Sequence, residues 1–173
     1  ALEYCKWLSD LYNADPKRKF NKVQFVLPAQ AQWEEAARAG RSQAMYPWGN
    51  YYLRNKKGEY LCNFKRISET AIVKGKDGRP VIVDSIGYID RGPAGGLNDR
   101  AFYTANVKSF YPNDFGIYNI CGNVAEMVAE KGICKGGGFR SYGGEVHIRA
   151  VGHYEDAAAD LGFRVFMKVI EKF

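Results

Sequence analysis

Leu2, Cys5, Leu8 and Leu11 recur at steps of three residues, and Tyr4, Trp7 and Tyr12 widen the same stripe. That spacing predicts a short amphipathic helix with this face turned inward. "NADPKRKFN" breaks it. In "VQFVL" (23–27) Val23, Phe25 and Leu27 alternate, which predicts a strand. Pro28 suits a first helical turn. "AQAQWEEAARAG" then supplies a second helix, with Trp33, Ala36 and Ala37 inward and Gly40 as its stop.

From Arg41 to about Phe110 the pattern thins. "YPWGNYY", "KGKDGRP" and "DRGPAGGLNDR" are turn-rich, and only "PVIVD" (80–84) reads as a short strand. So long a stretch with little regular structure needs something to fix it, such as an ion, a disulfide or packed aromatic rings. "GIYNICGNVAEMVAE" reads as a loop followed by a helical turn or short strand. "KGICKGGGF" and "LGFRVFMKVI" (161–170) are strand-like, the second alternating Phe163, Val165, Met167 and Val169. With no internal repeat, heptad run or low-complexity linker, the pattern predicts one α+β domain over 1–173.

Composition changes this picture in a few places. Aromatic residues make up 14% of the chain and there are 19 glycines, which favours a core wrapped by irregular loops over a helical bundle. The formal net charge is +6, with basic clusters at 16–20 and 54–58. No nucleic-acid motif accompanies either cluster, so both read as solvated faces and no nucleic-acid partner is expected. No apolar run approaches the ~18–20 residues that span a bilayer. The chain opens directly on "ALEYCKWLSDLY", which reads as the middle of a protein, so a leader or lipid-attachment segment could precede it and the compartment is left open by the sequence. Cys5, Cys62, Cys121 and Cys134 form no C-x-x-C, and only two histidines exist. A Cys/His zinc site is therefore not expected, and the cysteines read as small buried hydrophobes.

In "YNICGNVAEMV" (118–128), Asn119, Gly122, Asn123 and Glu126 sit among Ile, Cys, Val and Met. Carbonyls, an amide and a carboxylate in a glycine-containing loop can satisfy calcium, a hard cation taking ~6–8 oxygen ligands. An ordinary turn into a helix would also look like this.

Taken in order, "FVLPAQAQWEEAARAG", "YPWGN", "CNF", "SFYPNDFGIYNICGNVAEMV", "KGGGFRS" and "LGFRV" resemble the formylglycine-generating enzyme, or sulfatase-modifying factor, family. The resemblance covers essentially the whole chain. It lacks the portion of the family domain that normally precedes the first helix. It implies a C-type-lectin-like α+β fold poor in regular structure. It also implies calcium held by the Asn119 side chain, the Gly122 and Val124 carbonyls and the Glu126 carboxylate. A second calcium site would fall on Asn63, the Phe64 carbonyl, Asp99 and the Ala101 carbonyl.

The family's enzymes oxidise a sulfatase cysteine to formylglycine with two cysteines that bind copper(I), and with molecular oxygen. Thiolates suit that soft ion. Here the two positions fall at Ser141 and Val146, so copper is not expected. Ala125 and Met127 stand where the enzymes have tryptophan. The expected reading is thus non-catalytic, with the formylglycine-generating oxidase, or a related metal-dependent oxidoreductase acting on a protein cysteine, as the alternative. His147 and His153 could share a face on a strand, or pair with Ser141 as base and nucleophile, but no third ligand or orienting acid can be placed. "YPWG", "NFK" and "GNVAE" resemble the family's non-catalytic lipoproteins of gliding motility and type IX secretion. That implies a periplasmic or outer-membrane-associated bacterial assembly with protein partners. The lectin-like display domains of diversity-generating systems fit less well, because "RSYGGEVHIRAVGHYEDAAAD" is not obviously rich in exposed Asn, Tyr and Asp.

Overall fold

The computed structural model describes residues 1–65, 70–84 and 103–173, with the backbone alone at 70–74, 80 and 82–84. Two α-helices, a 3-10 turn at Gly143–Glu145 and eight short strands are described: α1 (Leu2–Ala14), β1 (Lys22–Val26), α2 (Gln30–Arg38), β2 (Thr70–Lys74), β3 (Pro80–Asp84), β4 (Ala125–Met127), β5 (Ile133–Lys135), β6 (Gly152–His153), β7 (Leu161–Phe163) and β8 (Phe166–Glu171). β1 pairs antiparallel with β8, β2 with β3, and a four-stranded sheet runs β6-β5-β4-β7 with only β4 and β7 parallel.

α1 forms where the periodicity predicts, but its inward face is shifted: of the predicted stripe Cys5 is buried and Leu8 half-buried. Cys5 and Ser9 are its buried residues, while Leu2, Tyr4, Trp7 and Leu11 are exposed. The helix lies along the outer edge of β1 and closes it with polar side chains. Asn13 accepts from Val23 N and donates to Val23 O, each at 2.9 Å, and Ser9 Oγ accepts from Phe25 N at 2.8 Å. Bare strand edges are costly to leave open, and the helix serves β1 by hydrogen bonding more than by apolar burial.

α2 buries Trp33 and Ala37, as its pattern predicts. Pro28 is not in the first turn: the N-cap is Ala29, and the helix ends on Ala39 in the left-handed region, one residue before Gly40. Trp33 and Ala37 pack with Ala44, Ile120, Cys121, Val128 and Ile148 into the main core. A second cluster joins Tyr46, Cys62, Phe64 and Val146. Tyr46 stacks on Trp48 at 5.0 Å and 4°, so the "YPWG" turn is fixed by its own rings. All four cysteines are buried and no disulfide joins them.

Three further expectations are corrected. "LGFRVFMKVI" is not one strand: it breaks at Arg164–Val165 into β7 and β8, which belong to different sheets. "TAIVK" is a strand that pairs with "PVIVD" across the Gly75–Arg79 turn. His147 lies in a bend instead of a strand, and only His153 is on one.

Candidate calcium loop and the adjoining cavities

The Tyr118–Glu126 segment can turn as tightly as it does because three of its residues adopt positive φ: Asn119 at 48°, Gly122 at 73° and Asn123 at 72°. At Gly122 the requirement is also spatial, since a Cβ would stand 2.5 Å from Asn63 O. Asn123 ties the loop to its neighbours. Its N donates to Asn63 O at 2.7 Å, its Oδ1 accepts from Ala105 N at 2.6 Å, and its Nδ2 donates to Ala105 O at 3.3 Å. The two predicted calcium segments are therefore neighbours. Asn63 is buried and donates to Tyr103 O at 2.6 Å. Phe64 packs in the second core cluster. Asp99 and Ala101 lie outside the described residues.

Asn119, Val124 and Glu126 line one cavity of about 500 Å³, together with Arg164 and Lys108. Gly122 belongs to the same loop but packs beneath Asn63 instead of lining the cavity. Asn119 Nδ2 donates to Asn106 O at 3.0 Å, whereas its Oδ1 is buried and has no hydrogen-bond partner among the described residues. An orphaned buried amide oxygen calls for a donor or a cation.

Glu126 is 4% exposed and fully engaged. Trp33 Nε1 donates to Oε2 at 2.7 Å. Arg164 forks onto the carboxylate, with Nη2 to Oε1 at 2.7 Å and Nε at 3.2 and 3.1 Å from the two oxygens. Arg164 Nη2 also donates to Tyr118 O at 3.0 Å. Trp33 and Arg164 are thus part of this site although sequence reasoning did not place them there. "LGFRV" carried the signal for Arg164, a charged residue interrupting an apolar run. All the predicted donors are oxygens and Asn119 Oδ1 is unpartnered, which suits calcium, while the Glu126 carboxylate is already held by Trp33 and Arg164 and Gly122 lies off the cavity.

Ser141 and Ala125 line a second cavity, of about 520 Å³, with Cys134, Glu145, His147, His153 and Asp160. The hydroxyl of Ser141 accepts from Gly138 N at 3.1 Å. Val146 faces away from the cavity, fully buried against Tyr46, Cys62 and Phe64. Burial pushes the Cys134 thiol above its ordinary value, and the Asp160 carboxylate adds to this, so the thiolate needed for a soft metal is disfavoured. Neither imidazole hydrogen-bonds a described residue. Burial lowers the pKa of His147, helped by Lys135 and Arg149, so its imidazole is neutral at pH 7. Among the described residues no three His, Cys, Asp or Glu side chains are placed to hold a metal together.

A loop-rich α+β scaffold, with small sheets and an asparagine-glycine-glutamate turn at its centre, defines a domain of the formylglycine-generating-enzyme fold. The chain belongs to that family: residues 1–169 match the sulfatase-modifying factor enzyme 1-like domain. It is 36% identical over 104 residues to the formylglycine-generating enzyme of Thermomonospora curvata, covering 60% of this chain and 26% of that protein. The mouse (Mus musculus) formylglycine-generating enzyme is 30% identical over 131 residues, covering 75% and 24%. The inactive C-alpha-formylglycine-generating enzyme 2 of Bos taurus is 27% identical over 107 residues, covering 61% and 26%. The chain thus spans about a quarter of the curated relatives it matches. Among solved structures, PvdO from Pseudomonas aeruginosa aligns with 99% of this chain and 58% of its own, at a TM-score of 0.59 and 20% identity. No described helix is long and apolar enough to cross a membrane.

Proposed function

We propose that this chain is a non-catalytic, calcium-stabilised binding or structural module of a bacterial cell-envelope lipoprotein, of the gliding-motility or protein-secretion kind. One observation carries the non-catalytic part. At the two positions where the family's oxidases have thiols, a serine hydroxyl is tied to Gly138 N and a valine is sealed in apolar packing. Neither can bind a soft ion. That inactive relatives occur in the family supports this reading. The envelope placement rests on the likeness of "YPWG", "NFK" and "GNVAE" to those lipoproteins.

The calcium part rests on the orphaned Asn119 Oδ1 and the all-oxygen donor set. Bound calcium would supply positive charge to that oxygen and stabilise the loop by linkage, since it binds the folded chain alone.

Incubating the protein with copper(I), oxygen and a sulfatase-type cysteine peptide tests the catalytic alternative. Mass spectrometry is expected to find no formylglycine, and conversion would restore the oxidase reading. Chelation with EGTA is expected to lower the melting temperature, and Glu126→Ala to remove most of that response. A melt indifferent to EGTA rejects calcium at Asn119–Glu126. Affinity capture from native envelopes is expected to recover stable protein partners.

A further inference from the structure

The wall of the Asn119–Glu126 cavity carries one buried carboxylate and two cationic side chains. Glu126 supplies the negative charge, and Arg164 and Lys108 the positive ones. Arg164 is bonded to both oxygens of Glu126. An ionised carboxylate offers about four lone-pair positions, and the N–H groups of Trp33 and Arg164 occupy most of them. Within the folded chain, the one acid of the loop is already neutralised.

We propose that Arg164, with Lys108 on the wall of the same cavity, sets the calcium affinity of this loop by neutralising Glu126, and holds it at the weak end of the calcium-binding range. The inference rests on the calcium reading above. Affinity in calcium loops follows ligand charge and site rigidity. Here rigidity is high, because Arg164 Nη2 also anchors Tyr118 O beside Asn119. Charge is low, because a divalent ion entering beside Asn119 meets a paired carboxylate and a guanidinium. The expected dissociation constant is therefore about 10⁻⁴–10⁻³ M, the range of extracellular modules. Such a loop fills where calcium is near millimolar and empties where it is scarce. Arg164 is then a positioning residue with two opposed effects: it stabilises the metal-free loop and opposes the metal.

The opposed effects separate charge from structure. Calcium titration by calorimetry, with melting curves at zero and 5 mM calcium (a chosen condition, on the order of ten times the weak-range constant), would be run on the wild type and on Arg164→Met, Arg164→Lys and Lys108→Met. Arg164→Met is expected to melt lower without calcium yet bind calcium at least about tenfold more tightly, because a unit charge close to the ion is removed. Arg164→Lys keeps the charge and loses the fork. It is expected to melt lower as well, with calcium affinity near that of the wild type. Lys108 is exposed, so Lys108→Met keeps the fold and is expected to bind about two- to threefold more tightly, as for a screened charge.

If Arg164→Met and Arg164→Lys show the same calcium affinity, or if Arg164→Met and Lys108→Met bind no more tightly than the wild type, the inference falls while calcium binding stands. A wild-type constant below about 1 µM also overturns it. If no variant responds to calcium, the calcium reading and this inference fall together.

Discussion

Gly122 shows how much of this site is decided at a single position. Its φ of 73° and its approach to Asn63 O leave no room for a side chain. Gly122→Ala would place a Cβ 2.5 Å from that carbonyl in a conformation that L-residues avoid. Urea denaturation is expected to show a loss of about 2–3 kcal/mol, the sum of backbone strain and a displaced contact. Trp33 contributes differently, by donating to the buried Glu126 carboxylate at 2.7 Å. Trp33→Phe keeps most of the ring volume and deletes one bond to a charged group. Its expected cost is about 1.5–3 kcal/mol, read in the same assay. "GNVAE" announces the loop because its polar residues stand out among apolar ones. The partners of Glu126 were not legible, because Trp33 and Arg164 are 93 and 38 residues away in sequence. Nothing in local spacing brings an indole and a guanidinium to one carboxylate.

At the scale of elements, the helices and most strands follow the hydrophobic pattern, and the failures have physical causes. The apolar stripe of α1 predicts Leu2 and Leu11 inward, yet each side chain is more than half exposed and the helix docks through Ser9 and Asn13. Period alone cannot reveal a helix that closes a strand edge with side-chain hydrogen bonds. Asn13→Ala removes both bonds to Val23 and leaves that edge without its cap. The expected loss is about 1–3 kcal/mol, with faster amide exchange at Val23, whereas Leu11→Ser on the exposed side is expected to change stability by less than about 0.5 kcal/mol. Equal effects from the two substitutions would contradict this docking. The break between β7 and β8 has a similar origin. Phe163 and Met167 fit one alternating strand, but Arg164 turns to Glu126 and splits the run between two sheets.

Across the whole molecule, few strand pairs hold the chain, and buried ion pairs link its parts. Lys135 on β5 is fully buried and meets Glu34 of α2 at 2.8 Å, with its ammonium 5.9 Å from the Trp33 ring centroid. Arg38 holds the other oxygen of Glu34 at 2.8 Å. Burial alone would raise the Glu34 pKa, but the hydrogen bonds from Lys135 and Arg38 outweigh it and hold the carboxyl below its ordinary value. Glu34 therefore contributes stability that is present above about pH 4.3, its unfolded value, and lost as pH falls toward its folded value. His147 is also depressed, chiefly by burial, so the unfolded chain takes up its proton first. Its contribution is complete above about pH 6.5 and declines as pH falls below that. Melting temperature against pH is expected to be flat near pH 7–8, to descend gently below about 6.5 and to descend again below about 4.3. His147→Gln should remove the upper descent and leave the lower one. Glu34→Gln should cost about 3–5 kcal/mol at pH 7, because it strands the Lys135 ammonium in the interior, and should make the lower descent shallower. A descent below pH 6.5 that survives His147→Gln would assign it to another group and leave the half-buried His147 imidazole without a part in acid stability.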